Sequence, residues 1–134
     1  MNTLTDTPIK SLRQILELAE GLVRKYGPYR VALAAADDVS CIGGLELGRK
    51  MGLIKPILVG HRRRVDKVFK KLDISQDGWD IYADKVSKSA TQNCAEGILK
   101  GDAEILMRGR LMARDFIKAL LDPKLKLKTP ESLW

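Results

Sequence analysis

Aromatic side chains are scarce in this sequence, with two Phe, two Trp and three Tyr among 134 residues. A core must therefore be built from Ile, Leu, Val and Ala. The same scarcity argues against a single-stranded nucleic-acid surface, which needs exposed rings interleaved with basic residues. Histidine is rarer still, with His61 alone, and the two cysteines, Cys41 and Cys94, lie far apart. Without a CxxC pair or a His/Cys cluster there is no metal-ligand spacing, so no metal is expected. The cysteines read as reduced residues packed in helices, and His61 as a turn residue after a strand. There is also no GxGxxG turn, no GxxxxGK[ST] phosphate loop and no GxSxG elbow, which removes the common dinucleotide, P-loop and serine-hydrolase readings. No apolar run reaches membrane-spanning length, and the opening MNTLTDTPIK lacks the basic-then-apolar pattern of a signal peptide. A cytoplasmic location with no membrane partner is the expectation.

What the chain does have is a balance of 45% hydrophobic and 31% charged residues, the make-up of a single globular domain. Its formal net charge of +7 favours anionic partners such as phosphorylated metabolites. The basic residues are spread out, with local clusters only at Arg62-Arg63-Arg64 and Lys124–Lys128. A nucleic-acid partner is not expected, and the basic helix containing Arg62–Lys71 reads as a solvated face.

Hydrophobic periodicity orders the chain. Leu12, Ile15, Leu16, Ala19, Leu22 and Val23 mark a first helix from Lys10 to Lys25, with Ser11 a candidate cap and Gly27-Pro28 a stop. The run Val31–Ala36 has no polar alternation, as in a strand buried on both faces. Asp37-Asp38 follow it, placed to cap a helix over Val39–Met51 that Gly52 ends. Gly43-Gly44 inside that helix hint at close backbone packing. Pro56–Gly60 reads as a second strand and Val65, Val68, Phe69 and Leu72 as a third helix. The more polar Trp79–Ala83 suits a strand near an edge. A helix from Ser87 to Lys100 then turns Ala90, Cys94, Ala95, Ile98 and Leu99 inward. Ala103–Met107 is a fourth strand and Leu111–Leu121 a fifth helix, while the tail LKLKTPESLW is a candidate last strand. Repeated strand–helix units predict a three-layer α/β/α domain around a mostly parallel sheet of four to five strands.

The stretch Ala103–Leu121 draws the reading together: an apolar strand, then Arg108-Gly109-Arg110, then a helix. Ligands of open α/β sheets sit at the carboxyl ends of strands. A glycine there allows a close turn, and each flanking guanidinium offers forked donors to an anion. The plain alternative is a strand-closing glycine between two solvated arginines.

Three stretches together resemble the phosphate acetyl/butyryltransferase family. They are VALAAADD with the helix after it, GLIKPILVG, and GDAEILMRGRLMARDFIKALLD. In this resemblance Arg108 stands at the family's lysine, Gly109 at its glycine, and Phe116-Ile117-Lys118-Ala119 at its Phe-Leu-Arg-Ala. Ala113 takes the place of the usual Thr, and Lys118 keeps the charge of the usual Arg but not its bidentate geometry. The resemblance implies an isocitrate/isopropylmalate dehydrogenase-like half, with 1–134 the N-terminal portion of a longer two-domain acyltransferase. It implies acyl transfer between coenzyme A and inorganic phosphate, with coenzyme A as substrate and no bound cofactor. Arg108, Gly109, Arg110 and Lys118 become the phosphate or coenzyme A candidates; most catalytic residues would lie in the later part of such a protein and stay unassigned. A homo-oligomer is expected, and this portion alone is expected to be inactive.

Two readings compete. A receiver-like phosphoacceptor domain would use Asp37, Asp38 and Asp84 around Mg²⁺, with Lys128-Thr129-Pro130 a near match to its Lys-Pro. A non-catalytic binding or assembly module would need none of these roles.

Overall fold

The computed structural model describes residues 8–84 and 87–125. Helix α1 (Leu12–Tyr26) starts where the Ser11 hydroxyl accepts the Gln14 N–H at 3.2 Å. It stops at Gly27, whose φ of 86° continues no helix. Strand β1 (Tyr29–Ala34) leads to Asp38, whose carboxylate accepts the Cys41 N–H at 2.9 Å and so caps α2 (Val39–Lys50). Strand β2 (Ile54–Gly60), helix α3 (Arg62–Leu72), strand β3 (Asp80–Ala83) and helix α4 (Ser87–Lys100) follow. Strand β4 (Ile105–Arg108), helix α5 (Ala113–Leu120) and a short 3-10 turn (Pro123–Leu125) complete the described chain.

The four strands form one parallel sheet in the order β3-β2-β1-β4. Alternation along β1 divides the core. Val31 and Leu33 face one way, with Ile42 and Leu45 of α2 and Val65, Val68 and Phe69 of α3. Ala32 and Ala34 face the other way, against Ala90 and Cys94 of α4. One face thus carries bulky aliphatics and the edge-to-face pair Phe69–Trp79, whose ring centres are 5.0 Å apart. The other carries small residues, which let α4 approach the sheet closely. Glu46, buried in α2, is held by Arg49 at 2.6 Å, and that guanidinium lies over the Trp79 ring. This is the expected three-layer architecture, with β3 at an edge.

Several expectations shift. No residue of α1 is buried, and Leu12 is 84% exposed, so its apolar stripe is real but largely uncovered. Leu99 points to solvent rather than inward, and Ile117 and Leu121 of α5 are exposed too. Leu99 falls beyond the Ala90–Cys94–Ile98 stripe, and α5 buries only Ala119. A methyl group at Gly43 or Gly44 would meet nothing within 4 Å, so no close packing explains them; the tight helical glycine is Gly48, 3.1 Å from Ile54. Strand β1 ends at Ala34 rather than Ala36, because Ala35 turns into the left-handed region at φ 57°. The candidate last strand lies outside the described residues beyond Leu125, which itself ends the 3-10 turn. Among the described residues, no helix is long and apolar enough to cross a membrane.

Candidate functional site

The sheet order fixes where a ligand is best received. From β1 the chain steps outward to β2 and β3, then returns across the sheet to place β4 on the other side of β1. The order reverses between β1 and β4, and a crevice opens at their carboxyl ends. Gly109 follows β4 there, and Asp37-Asp38 follow β1.

Gly109 is at that position because nothing larger fits. A Cβ on it would stand 2.3 Å from the Ala35 carbonyl oxygen and 2.7 Å from that of Ala34. Its N–H donates to the Ala34 carbonyl and that of Arg110 to the Ala35 carbonyl, each at 2.8 Å. The left-handed Ala35, an uncommon conformation for a residue with a side chain, turns its carbonyl toward this contact. Gly60 repeats the device at the end of β2: a Cβ there would lie 2.8 Å from the Ala36 amide. Ala36 in turn donates to the Val59 carbonyl at 3.2 Å, and Asp84 to that of Gly60 at 2.8 Å. The ends of all four strands are thereby tied into one rigid floor.

These bonds define what the floor can do. The amides of Gly109, Arg110 and Leu111 all donate within the chain, Leu111 to the Gly109 carbonyl at 2.9 Å. The turn therefore offers no free amides for an oxyanion hole. Its capacity to hold an anion rests on side chains.

The candidate residues fall in three places. Arg108 ends β4, exposed, and its carbonyl accepts from the Cys41 Sγ at 3.8 Å. Arg110 lines a recess of about 440 Å³ with Asp37 and with Arg64, Lys67 and Val68 of α3. Lys118 lies exposed in the last turn of α5. Arg64 and Lys67 belong to the helix read from sequence as a solvated basic face. Their separation of three residues gave a shared helix face, but only the β3-β2-β1-β4 order brings that face beside Arg110.

Neither cysteine is poised as a nucleophile. Burial, and then Asp38, push the half-buried Cys41 thiol up, while the Arg108 guanidinium pulls weakly the other way. Burial, and then Asp84, push Cys94 up to about 12. His61 precedes α3 without a side-chain cap, and its Nδ1 is buried with no hydrogen-bond partner among the described residues. No group of three His, Cys, Asp or Glu side chains suited to a metal occurs among the described residues. Asp38 is engaged as a helix cap and Asp84 accepts from Asn93 at 2.8 Å. The sheet order also departs from the receiver arrangement, in which β1 lies between β2 and β3.

A second, larger cavity of about 770 Å³ lies on the α4 side of the sheet, between residues such as Arg30, Lys55, Ile57, Tyr82 and Cys94. It shares no lining residue with the Arg110 recess. Arg30 there is bound by Glu104 at 2.5 Å and by the Gly101 carbonyl at 2.6 Å. That contact holds the Glu104 carboxyl below its usual range and the guanidinium above its own.

No family model matches this chain. It is 25% identical over 100 residues to a phosphate butyryltransferase of Clostridium beijerinckii, covering 75% of this chain and 33% of that protein. It is also 25% identical over 122 residues to a phosphate acetyltransferase of Thermotoga maritima, covering 91% and 40%. This chain is a relative of the phosphate acetyl- and butyryltransferases. It spans between a third and two-fifths of the length of these relatives. Among solved structures, a phosphotransacetylase from Streptococcus pyogenes superposes with a TM-score of 0.65 at 14% identity, covering 84% of this chain and 42% of that one. A branched-chain phosphotransacylase from Enterococcus faecalis gives 0.55 at 14% identity, over 69% and 33%. At such identity these two likenesses establish the fold. The three-layer architecture with its four-stranded parallel sheet is thus a phosphotransacetylase-like α/β fold.

Proposed function

We propose that this chain is the N-terminal portion of a phosphate acyltransferase and contributes one wall of its substrate cleft. The reaction moves a short acyl group between coenzyme A and inorganic phosphate. A phosphate oxygen adds to the thioester carbonyl, the C–S bond breaks, and coenzyme A leaves as its thiolate. Two charges must be managed, on the incoming phosphate and on the departing sulfur. The observation that carries the assignment is the Gly109 turn, held under the Ala34 and Ala35 carbonyls at the point where the sheet order reverses. That geometry presents Arg108 and Arg110 at the crevice on a rigid base, and the kinship to phosphate acyltransferases supplies the chemistry.

In this reading Arg108, Gly109 and Arg110 form the anion-holding floor. Lys118, on the following helix, would support that floor from α5. Coenzyme A and phosphate are substrates and no resident cofactor is required. In this reading most of the catalytic groups would lie in the larger part of such an enzyme that this chain does not span. Acyl transfer by this chain alone is therefore not expected. Self-association is expected, since α1 leaves Leu12 and Ile15 exposed; a clean monomer in sedimentation at high concentration would contradict that.

The test is thermal unfolding with coenzyme A and, separately, with inorganic phosphate. A ligand that binds only the folded chain stabilises it by mass action, by about 2.7 kcal/mol at a hundred times its Kd, and so raises the midpoint. A rise with coenzyme A that Arg108→Ala abolishes is the expected result. An unchanged midpoint would remove this chain from the coenzyme A site.

A further inference from the structure

Two surfaces of this chain are apolar, uncovered and matched in size. The first is the outer half of the sheet on the α4 side. Helices α2 and α3 both lie on the opposite face, while α4 covers β1 and the near side of β2 and is flanked by α5. The groove beside α4 has Ala32, Ile57 and Val59 for a floor, and Tyr82 of β3, 60% exposed, on its outer side. Its α4 wall includes Gly97, which carries no side chain. Parallel sheets are covered by helices on both faces, and two strands about 4.8 Å apart accommodate one helix of about 10 Å diameter. Room for one helix is open here.

The second surface is α1. Leu12, Ile15, Leu16, Ala19, Leu22 and Val23 form one stripe, yet no residue of the helix is buried. Among the described residues no other element packs closely along it. Its link to β1 is Gly27-Pro28, pinned at both ends: the Gly27 N–H donates to the Val23 carbonyl at 2.7 Å and the Tyr29 N–H to the Leu53 carbonyl at 3.0 Å. No α1 residue lines the groove of its own chain. The helix is therefore held off its own sheet, with Leu12 and Ile15 exposed.

Dimensions and charge join the two. The 15 residues of α1 make a helix about 22 Å long, and the 7 residues of β2 a strand of about 23 Å. Asp80 opens β3 and Asp102 follows α4, so both stand where the groove begins, at the amino ends of the strands. Arg24 and Lys25 occupy the last turn of α1. A helix seated parallel to α4 brings that basic turn to those carboxylates.

We infer that α1 of a second copy of this chain seats in the groove, and the reverse, as a two-fold dimer. The stripe from Leu12 to Leu22 lies against Ile57 and Tyr82, and the basic last turn beside Asp80 and Asp102. Two seats double the buried area, which one short helix needs to approach the about 1,200 Å² of a stable interface. The inference gives a surface to the self-association expected above and rests on that expectation, not on acyl transfer.

Sedimentation velocity on the 134-residue chain tests it, with circular dichroism to confirm that each variant is folded. The parent is expected to dimerise. Leu12→Asp/Ile15→Asp removes the apolar stripe from an exposed helix. Gly97→Arg fills the groove from a position where a Cβ meets only the Asp102 Cβ, at 3.9 Å. Tyr82→Lys changes an exposed side chain on the outer strand, so the groove is probed twice without disturbing the core. Each variant is expected to weaken dimerisation about 10-fold or more. An equimolar mixture of the α1 variant with Gly97→Arg regains one seat per pair, and is expected to associate more tightly than either variant alone. Gly97→Arg and Tyr82→Lys chains that dimerise like the parent would mean that the α1 helices pair with each other, which overturns the proposal alone. A mixture no tighter than its components overturns it as well. A parent that stays monomeric at high concentration removes both the proposal and the self-association. The transferase reading is decided separately, by the effect of coenzyme A on the unfolding midpoint.

Discussion

Two cavities on opposite faces of the sheet teach by contrast. The groove under α4 is the larger, at about 770 Å³, yet Arg30 on its wall is tied to Glu104 and the Gly101 carbonyl. Its inner surface is sheet, with Ala32, Ile57 and Val59 set for packing. The recess at the β1/β4 end has little more than half that volume, and Arg64, Lys67 and Arg110 line it with no ion pair among the described residues. Its floor is rigid, because the four strand ends bond to one another there. Size marks where the sheet is incompletely covered. Unpaired charge on a fixed backbone marks where chemistry is supported.

If the floor is as tight as its distances say, glycine should be indispensable there and replaceable in the groove. Gly109→Ala puts a methyl group 2.3 Å from a backbone oxygen that is itself held, so a loss of about 4 kcal/mol or more in urea unfolding is expected. A loss under about 1 kcal/mol would mean that the turn yields freely and is no fixed base.

Cys94, on the groove wall, sharpens the comparison through pH. Its folded-state pKa is raised to about 12, so the folded chain keeps a proton that the unfolded chain releases from about pH 9 upward. Stability from this group is complete below that pH and declines toward pH 12, by at most about 1.4 kcal/mol per unit. Cys94→Ala should flatten this part of the stability curve relative to the parent; an identical slope in the two would contradict the assignment.

Smaller effects follow. Gly97 lines the groove, and a methyl group there would approach only the Asp102 Cβ, at 3.9 Å. Gly97→Ala should therefore stabilise the chain by up to about 1 kcal/mol, the helix-propensity difference, measurable by the same unfolding. Destabilisation would show that the groove is tighter than it looks. The smallest change is expected from Arg64→Ala/Lys67→Ala, which should leave unliganded stability within about 0.5 kcal/mol. A large loss would recast these cations as structural.

The sequence made the frame legible for a physical reason. Apolar runs without alternation, such as VALAAA, mark strands covered on both faces, and the glycines at 27, 52 and 101 stop helices by adopting positive φ. Periodicity says which residues share a face, not whether anything covers it. That is why α1 has a correct stripe and no buried residue, and why Leu99, inward by spacing, lies exposed. Gly43-Gly44 misled in the same way, since glycine signals permissiveness as readily as contact. At the site, Gly109 was visible because it breaks an apolar strand between two arginines. Arg64 and Lys67 were not, because a basic helix face looks the same whether it meets solvent or a crevice; strand order decides, and strand order is a non-local property.

The most direct measurement is backbone amide NMR of the 134-residue chain during titration with coenzyme A. The account predicts shifts concentrated at residues 35–38 and 108–111, with Arg30, Ile57, Tyr82 and Gly97 in the groove unmoved. Shifts confined to the groove, with the Gly109 turn silent, would contradict it.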